Sequence, residues 1–238
     1  MRFQGASLSS DLFEYDRRRI MADTAGFQLD QMVEGALAFR TDNVHCTIDF
    51  DSRIGEFASN DGETMIELPA NQYLCYMDEF KWFMDKDKLE MSSGREPMTD
   101  FVIDTDDAVS KSNFYSTRGD QDSLNFLAPK AIYDVSESVI RCESVKFIRT
   151  ADAFVEPDSG QVVVRKRAQM DQLSRAVIVA NVVSRHHRLF DADVNILGRF
   201  DYEATASVFY KDENGLEQLI RLQQVEVGTS GETIGQGT

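Results

Sequence analysis

A short strand–turn–strand unit recurs along this chain, and this recurrence constrains the fold more than any other feature. The unit begins at Ala131 and again 22 residues later at Ala153, and a looser copy runs from Val44 to Phe57. Units of this length cannot bury their own apolar side chains, so neighbouring units must stack on one another. The sequence therefore predicts an all-β, elongated stack of short strands, either a β-solenoid or an open β-jellyroll.

Alternating apolar and polar residues predict further strands towards the C-terminus. The segment Phe200–Tyr210 has an apolar side chain at every second position, as in a strand with one buried face. Turn residues at Glu213–Gly215 predict a C-terminal hairpin whose return strand covers Leu216–Val227. The segment Asp171–Leu189 fits both a helical stripe and a strand, and its β-branched run Val177–Val179 favours the strand.

We expect three parts in the chain: a flexible or helical lead-in over 1–35, a single β-repeat domain over 36–227 and a flexible tail over 228–238. Asp11 and Glu14 have the spacing of a capping box, which predicts one short helix over Asp11–Met21. A β-stack exposes its terminal edges. Neighbouring repeats of a longer parent protein, or a second copy of this chain, are therefore the expected partners.

Composition excludes several classes of function. The formal net charge of −16 argues against general nucleic-acid binding, because an acidic field repels polyphosphate. No run of about 18 apolar residues occurs, so no membrane-spanning helix is predicted. The three cysteines, Cys46, Cys75 and Cys142, form no CxxC pair that would indicate zinc or redox work. A Cys46–Cys75 bridge stays open as an option, and no cofactor is predicted.

Two kinds of side chain could hold a metal ion. The acidic turns lack the spacing of a calcium loop and are interpreted as solvated turns; they contain Asp85, Asp87 and Glu90, and Asp104, Asp106 and Asp107. His186 and His187 would point to opposite faces of a strand, so a site there would need Asp191 or Asp193 as a further ligand. The sequence therefore predicts no metal site.

A cluster of aromatic residues and methionine lies within twelve residues, from Tyr73 to Met84. One interpretation is a core strand that is covered on both faces. The functional interpretation is an apolar trough for a lipid chain, or an aromatic platform for a sugar. On that interpretation the candidate ligand-binding residues are Tyr76, Phe80, Trp82 and Met84.

Motifs for catalysis are missing from the sequence. It contains no GxSxG elbow, no SxxK pair, no P-loop and no GxGxxG after a strand. An enzyme of the polysaccharide-cleaving β-helix type would need outward carboxylates and basic side chains in one groove. Asp152 and Glu156 with Arg165 and Arg167 are the candidates for that arrangement. We expect a non-enzymatic protein.

Several segments resemble known repeat proteins. Leu127–Asp134, Val145–Ala153 and Ala176–Asn181 resemble rungs of OstA-like repeats, and Gly55–Asn60 and Tyr76–Asp85 resemble parts of very large, functionally unassigned β-repeat proteins of Gram-negative envelopes. The OstA-like resemblance implies an open, jellyroll-like β-stack that carries lipopolysaccharide between the membranes of Gram-negative bacteria. It also implies a location in the cell envelope, in the periplasm or associated with the outer membrane.

These observations lead to one main hypothesis and two alternatives. The main hypothesis is a non-enzymatic cell-envelope β-repeat module, acting as a structural scaffold or as a segment of a lipid conduit. The first alternative is a carbohydrate-binding or carbohydrate-cleaving β-helix, for which the ligand would be a glycan. The second alternative is a spacer without any ligand.

Overall fold

A computed structural model describes residues 1–3, 5–31, 35–95, 111–184, 187–211 and 215–237. These residues form 22 strands in one open sheet, every pairing of which is antiparallel, and they contain no helix of seven or more residues. The prediction of an all-β chain is therefore confirmed, and the arrangement is consistent with an elongated β-stack. None of the helical turns in these ranges has the length and apolarity needed to cross a membrane.

The first eleven strands are β1 Arg2–Phe3, β2 Ala6–Ser9, β3 Glu14–Asp16, β4 Arg19–Asp30, β5 Leu37–Asp49, β6 Ile54–Ser59, β7 Thr64–Leu68, β8 Tyr73–Met77, β9 Glu79–Phe83, β10 Lys88–Ser92 and β11 Phe114–Ser116. The others are β12 Asn125–Phe126, β13 Lys130–Asp134, β14 Val139–Glu143, β15 Ile148–Thr150, β16 Ala153–Glu156, β17 Val162–Val164, β18 Leu173–Ala180, β19 His187–Gly198, β20 Asp201–Lys211, β21 Glu217–Val227 and β22 Thr233–Gly237. Short 3-10 turns cover Pro69–Asn71, Met84–Lys86, Gly119–Gln121 and Lys166–Ala168.

The two long strands β4 and β5 form the root from which the sheet divides. They pair with each other over nearly their full length. Arg40 and Thr41 of β5 then pair with β7, whereas Val44–Asp49 pair with β6. Between these two stretches Asn43 has a φ of 59°, a left-handed conformation that asparagine tolerates better than most residues. Asn43 thus lies at the point where the pairing partner of β5 changes from β7 to β6.

The first branch has the order β6, β9, β10, β13, β14, β17, and the second has the order β7, β8, β11, β12, β15, β16, β18, β19, β20, β21, β22. From β7 to β16 the chain alternates between the branches, one pair of strands at a time. The buried faces of both branches belong to one continuous hydrophobic core. We call the part from β5 to β17 the body.

The repeated sequence unit does not always form the same structure. The unit from Ala131 is a hairpin, since β13 pairs with β14. The unit from Ala153 is a crossover, because β16 pairs with β15 and β18 while β17 pairs with β14. β13 and β17 keep the alternation of a strand with one buried face, whereas in β16 the consecutive residues Ala153, Phe154 and Val155 are all buried.

Four hairpin turns of the body have four residues each and end in a left-handed residue. These residues directly precede the return strands β6, β8, β10 and β14, and they are Arg53, Gln72, Asp87 and Ser138. Glycine is the residue that adopts a positive φ at least cost, and none of the four is glycine. The sequence therefore carries no glycine signal for these turns, although their geometry recurs.

The structure corrects the predicted N-terminal helix. Asp11–Met21 forms no helix; β3 and the start of β4 lie there as a hairpin. Ile20 and Ala22 of β4 are buried and pair with Ile48 and Cys46 of β5. This burial outweighs the capping-box signal, which is local. Strands β1 to β4 and β22 also lie in the two segments that we had expected to flank the repeat domain, 1–35 and 228–238.

Three other expectations can be compared with the structure. The segment Asp171–Leu189 contains β18 and the start of β19, as the β-branched run predicted. Residues 185 and 186 of this segment lie outside the described ranges. The C-terminal hairpin is confirmed, because β20 pairs with β21, whose start at Glu217 lies one residue from the predicted one. All three cysteines are free and buried, so the Cys46–Cys75 bridge is not formed. Burial raises the pKa of Cys46 to about 11.

Candidate functional site

Two of the four candidate ligand-binding residues lie in the packed core. Phe80 and Trp82 point inward from β9, and Phe80 is only 1% exposed. The Phe80 ring stacks on Phe57 at a centroid distance of 4.4 Å, and the Trp82 ring lies 5.4 Å from Phe27. Gly55 pairs with Trp82, and a Cβ on Gly55 would come within 2.8 Å of the Phe57 ring. The space between the branches is filled here by the chain's own rings.

The other two candidates lie elsewhere. Tyr76 is half-buried on the outer face of β8, where its ring meets Tyr115 edge-on at 5.9 Å. Met84 begins the 3-10 turn after β9 and packs against the edge of the core. β8 and β9 belong to different branches, so the four residues do not share one surface. Nor is β9 covered on both faces, because Glu79 and Lys81 are exposed.

The carboxylates expected in a glycan-cleaving groove are engaged by other groups. Asp152 accepts a hydrogen bond from the hydroxyl of Thr233, the first residue of β22. Glu156 forms an ion pair of 3.0 Å with Arg188 of β19. The first contact joins the turn before β16 to β22, and the second joins β16 to β19 across the intervening strand β18.

The basic members of that expected groove lie beyond β17, next to the first branch. Arg165 forms a bidentate ion pair with Asp171, with nitrogen–oxygen distances of 2.5 and 2.8 Å. The carbonyl of Arg167 accepts a hydrogen bond from Arg118 at 3.2 Å. The two carboxylates and the two arginines therefore have separate partners.

The residues considered as metal ligands are also separate. Asp85 pairs with Arg53, and Glu90 pairs with Lys88 at 2.7 Å. Asp104, Asp106 and Asp107 lie outside the described residues, and so does His186. Across the ranges that the structure describes, no three His, Cys, Asp or Glu side chains converge in a way that could hold a metal ion.

Sequence reasoning missed a buried asparagine that fixes a crossover between the branches. The Oδ1 atom of Asn113 accepts the backbone N–H of Ala128 at 2.8 Å, and its Nδ2 donates to the carbonyls of Ala128 at 2.9 Å and Tyr76 at 3.3 Å. Asn113 is fully buried, and these bonds satisfy backbone groups where the chain passes from β12 to β13. Nothing in the local sequence distinguishes it from a loop asparagine.

The most unusual exposed surface is the outer half of the C-terminal hairpin, which we call the C-terminal ribbon and define as Ser207–Lys211 of β20 with Glu217–Leu222 of β21. Up to Ala206, β20 alternates between buried and exposed residues, and beyond it no residue of the strand is buried. The first branch ends at β17, whereas the second continues through five further strands. The ribbon thus lies beyond the two-branch body.

Large apolar side chains occupy both faces of the C-terminal ribbon. Phe209 and Leu219 are paired across the two strands and are 61% and 62% exposed. The ring of Phe190 stacks on Phe209 at 4.9 Å. On the other face Val208 pairs with Ile220, and both are half-buried. A strand that faces only water normally carries polar residues outward, so this surface departs from the usual pattern.

The last strand adds an unpaired edge next to this surface. β22 pairs with β21 on one side, and no other strand of the described residues pairs with its far side. Exposed edges are usually protected by charged side chains or proline, and Thr233–Gly237 contains neither. Its backbone groups are therefore available to pair with another strand.

Comparison of this chain with models of protein families, with curated proteins and with solved structures found no match.

Proposed function

We propose that this chain is a non-enzymatic structural module that assembles with further β-stacked units through its C-terminal ribbon. The partner is a neighbouring repeat of a longer protein or, for the isolated chain, a second copy. The observation that carries the proposal is the exposure of Phe209 and Leu219 on one face, with further apolar residues on the other.

The energetic argument concerns the cost of leaving these side chains in water. Burying a phenylalanine or leucine side chain that was exposed stabilises a complex by about 1.5–3 kcal/mol. An isolated two-stranded ribbon is at best marginally stable in water, and covering it would also stabilise the hairpin itself. Phe209 and Leu219 lie side by side on one face of the ribbon, and Tyr210 is exposed on the other.

The open edge of β22 supports the same proposal. A strand from another unit can add to an exposed sheet edge, with main-chain hydrogen bonds giving affinity and side chains giving specificity. The edge is continuous with the ribbon, because β22 pairs with β21. One partner could therefore cover both surfaces.

The location of the module in the proposal comes from the sequence resemblance. The OstA-like segments favour the cell envelope of a Gram-negative bacterium, in the periplasm or at the outer membrane. Between a scaffold and a lipid conduit, the packing around Phe80 and Trp82 favours the scaffold, because their rings contact other side chains of the core.

Sedimentation velocity from about 5 µM to about 500 µM protein tests the proposal, since weak self-association of this kind is concentration-dependent. We expect the wild type to self-associate and the double variant Phe209→Ser, Leu219→Ser to remain monomeric. Met65→Ser is the matched control, because Met65 is also exposed (43%) but lies in β7 of the body. A wild type that stays monomeric over the whole range would contradict the proposal.

A further inference from the structure

A polar groove crosses the outer face of β19, β20 and β21, on the part of these strands next to the body. It consists of two adjoining hollows of about 470 and 440 Å³, which share Asn195 and Glu203 in their walls. Further side chains of the first hollow come from all three strands and from the loop before β18, and they are Gln172, Asp193, Thr205, Gln223, Gln224 and Glu226.

Irregular strand pairing shapes this groove. In β21 the register shifts opposite Ala204–Ala206, so Gln223 and Gln224 both lie opposite Thr205. In β19 a second shift occurs at the same level, next to Asp191, whose φ is 51°. A β-bulge bends its strand and redirects side chains. Two bulges at one level therefore direct the side chains of neighbouring strands towards a common hollow.

The side chains of the groove are available for a ligand. Within the described ranges, Asp193, Asn195 and Glu203 form no side-chain hydrogen bond or ion pair. Glu203 lies directly opposite Glu226 on the next strand, and Glu226 accepts a hydrogen bond of 2.8 Å from Gln224. Like charges opposite each other destabilise a sheet slightly. A ligand that donates hydrogen bonds to these carboxylates would relieve that cost.

The charges of the groove restrict the class of ligand. Across both hollows the walls contain five carboxylates and one guanidinium, that of Arg118, which is already paired with Asp120. Anionic ligands such as phosphates or uronic-acid glycans are therefore repelled. The carboxylates are spread along the groove, and no three of them converge on one point among the described residues, which disfavours a metal cation.

The amide side chains favour an uncharged, hydroxyl-rich ligand over an organic cation. Gln172, Asn195 and Gln223 each offer a hydrogen-bond donor and an acceptor, which matches the paired hydroxyls of a sugar. An ammonium cation has no acceptor for the amide N–H groups. Leu197, which is exposed at the far end, supplies an apolar surface for a sugar ring. We propose that this groove binds a neutral oligosaccharide. Its volume is within the range of ordinary ligand sites.

The test is isothermal titration calorimetry with four neutral hexasaccharides (cellohexaose, xylohexaose, mannohexaose and maltohexaose). Hexagalacturonate and spermine serve as the anionic and cationic rivals. We expect at least one neutral hexasaccharide to bind with a Kd below about 1 mM and hexagalacturonate not to bind. Failure of all four neutral ligands at about 10 mM, or binding of spermine alone, would overturn the proposal.

Single variants locate the binding to the groove. We expect Asn195→Ala and Glu203→Gln each to weaken the binding about tenfold, as the loss of one or two hydrogen bonds predicts. Glu217→Gln is the matched control, because it removes a carboxylate of the same hairpin outside the groove and should leave the Kd unchanged. Unchanged binding in both groove variants would also contradict the proposal. The ribbon variant Phe209→Ser, Leu219→Ser should bind normally, so this proposal and that of assembly fail independently.

Discussion

The body and the C-terminal ribbon consist of the same kind of alternating antiparallel strand, but they differ in what lies opposite their apolar side chains. In the body Phe80 meets Phe57 and Phe39, which belong to facing or neighbouring strands, and is buried. In the ribbon Phe209 contacts Phe190 on the same sheet and remains largely exposed. Alternation therefore shows that a segment is a strand, but an apolar side chain becomes core only where other strands cover it, and otherwise forms a surface for a partner.

The largest expected difference between the two regions comes from truncating equivalent rings. Phe80→Ala should lower the free energy of unfolding by about 3–5 kcal/mol, because it leaves a cavity in packed core. Phe209→Ala should change it by less than about 0.5 kcal/mol at a protein concentration where the chain is monomeric. Urea unfolding followed by tryptophan fluorescence measures both values. Equal losses in the two variants would show that the ribbon is packed like the body.

The next largest effect concerns the buried asparagine of the crossover. Asn113→Ala should cost about 2–4 kcal/mol, because it leaves the buried N–H and C=O of Ala128 without partners. Asn195→Ala, which removes an exposed asparagine of β19, is the control and should cost less than about 0.5 kcal/mol. A small loss for Asn113→Ala would mean that water replaces the amide and that the crossover is open to solvent.

A change to glycine should have opposite signs in the two regions. Gln72→Gly should stabilise the chain by about 0.5–1 kcal/mol, because Gln72 has a φ of 54° in a body turn and glycine adopts this conformation without strain. Gln218→Gly should destabilise it by a similar amount, because glycine weakens the interior of a strand. Thermal unfolding of both variants checks the signs. Destabilisation by Gln72→Gly would contradict the interpretation of these turns.

The smallest expected effect is a pH dependence at the root of the body. The backbone N–H of Ser52 and the side chain of Arg19 lower the pKa of Asp49 from its usual 3.8 to about 2. A lowered pKa contributes stability above the usual value, and this contribution disappears as the pH falls towards about 2. The difference in Tm between wild type and Asp49→Asn should therefore be largest near neutral pH and shrink between pH 4 and 2. A constant difference would exclude this contribution.

The sequence predicted the strands better than their partners. Alternation correctly indicated the strands of the aromatic cluster and of the C-terminal hairpin, and the β-branched run Val177–Val179 correctly indicated a strand in Asp171–Leu189. The change of branch at Asp78 has no local signal, because the strands on either side keep the same pattern. For this reason Tyr76 and Phe80, four residues apart, lie on different branches instead of in one binding trough.

The candidate sites were harder to predict for a related reason. The ribbon residues Phe209 and Leu219 lie on the outer face of the hairpin, the face that carries Glu203 and Thr205, so the alternation of Phe200–Tyr210 does not account for them. The groove depends on register shifts in β19 and β21, which bring together Asn195 and Gln223 from distant parts of the chain. The groove results from long-range pairing, which local sequence patterns do not encode.

Amide hydrogen exchange at low and high protein concentration tests the central claim most directly, namely that the C-terminal ribbon is an assembly surface. We predict that Ser207–Lys211 and Glu217–Leu222 exchange quickly in dilute protein and become protected at high concentration, whereas β8 and β9 exchange slowly in both. Identical exchange of the ribbon at both concentrations would contradict the account.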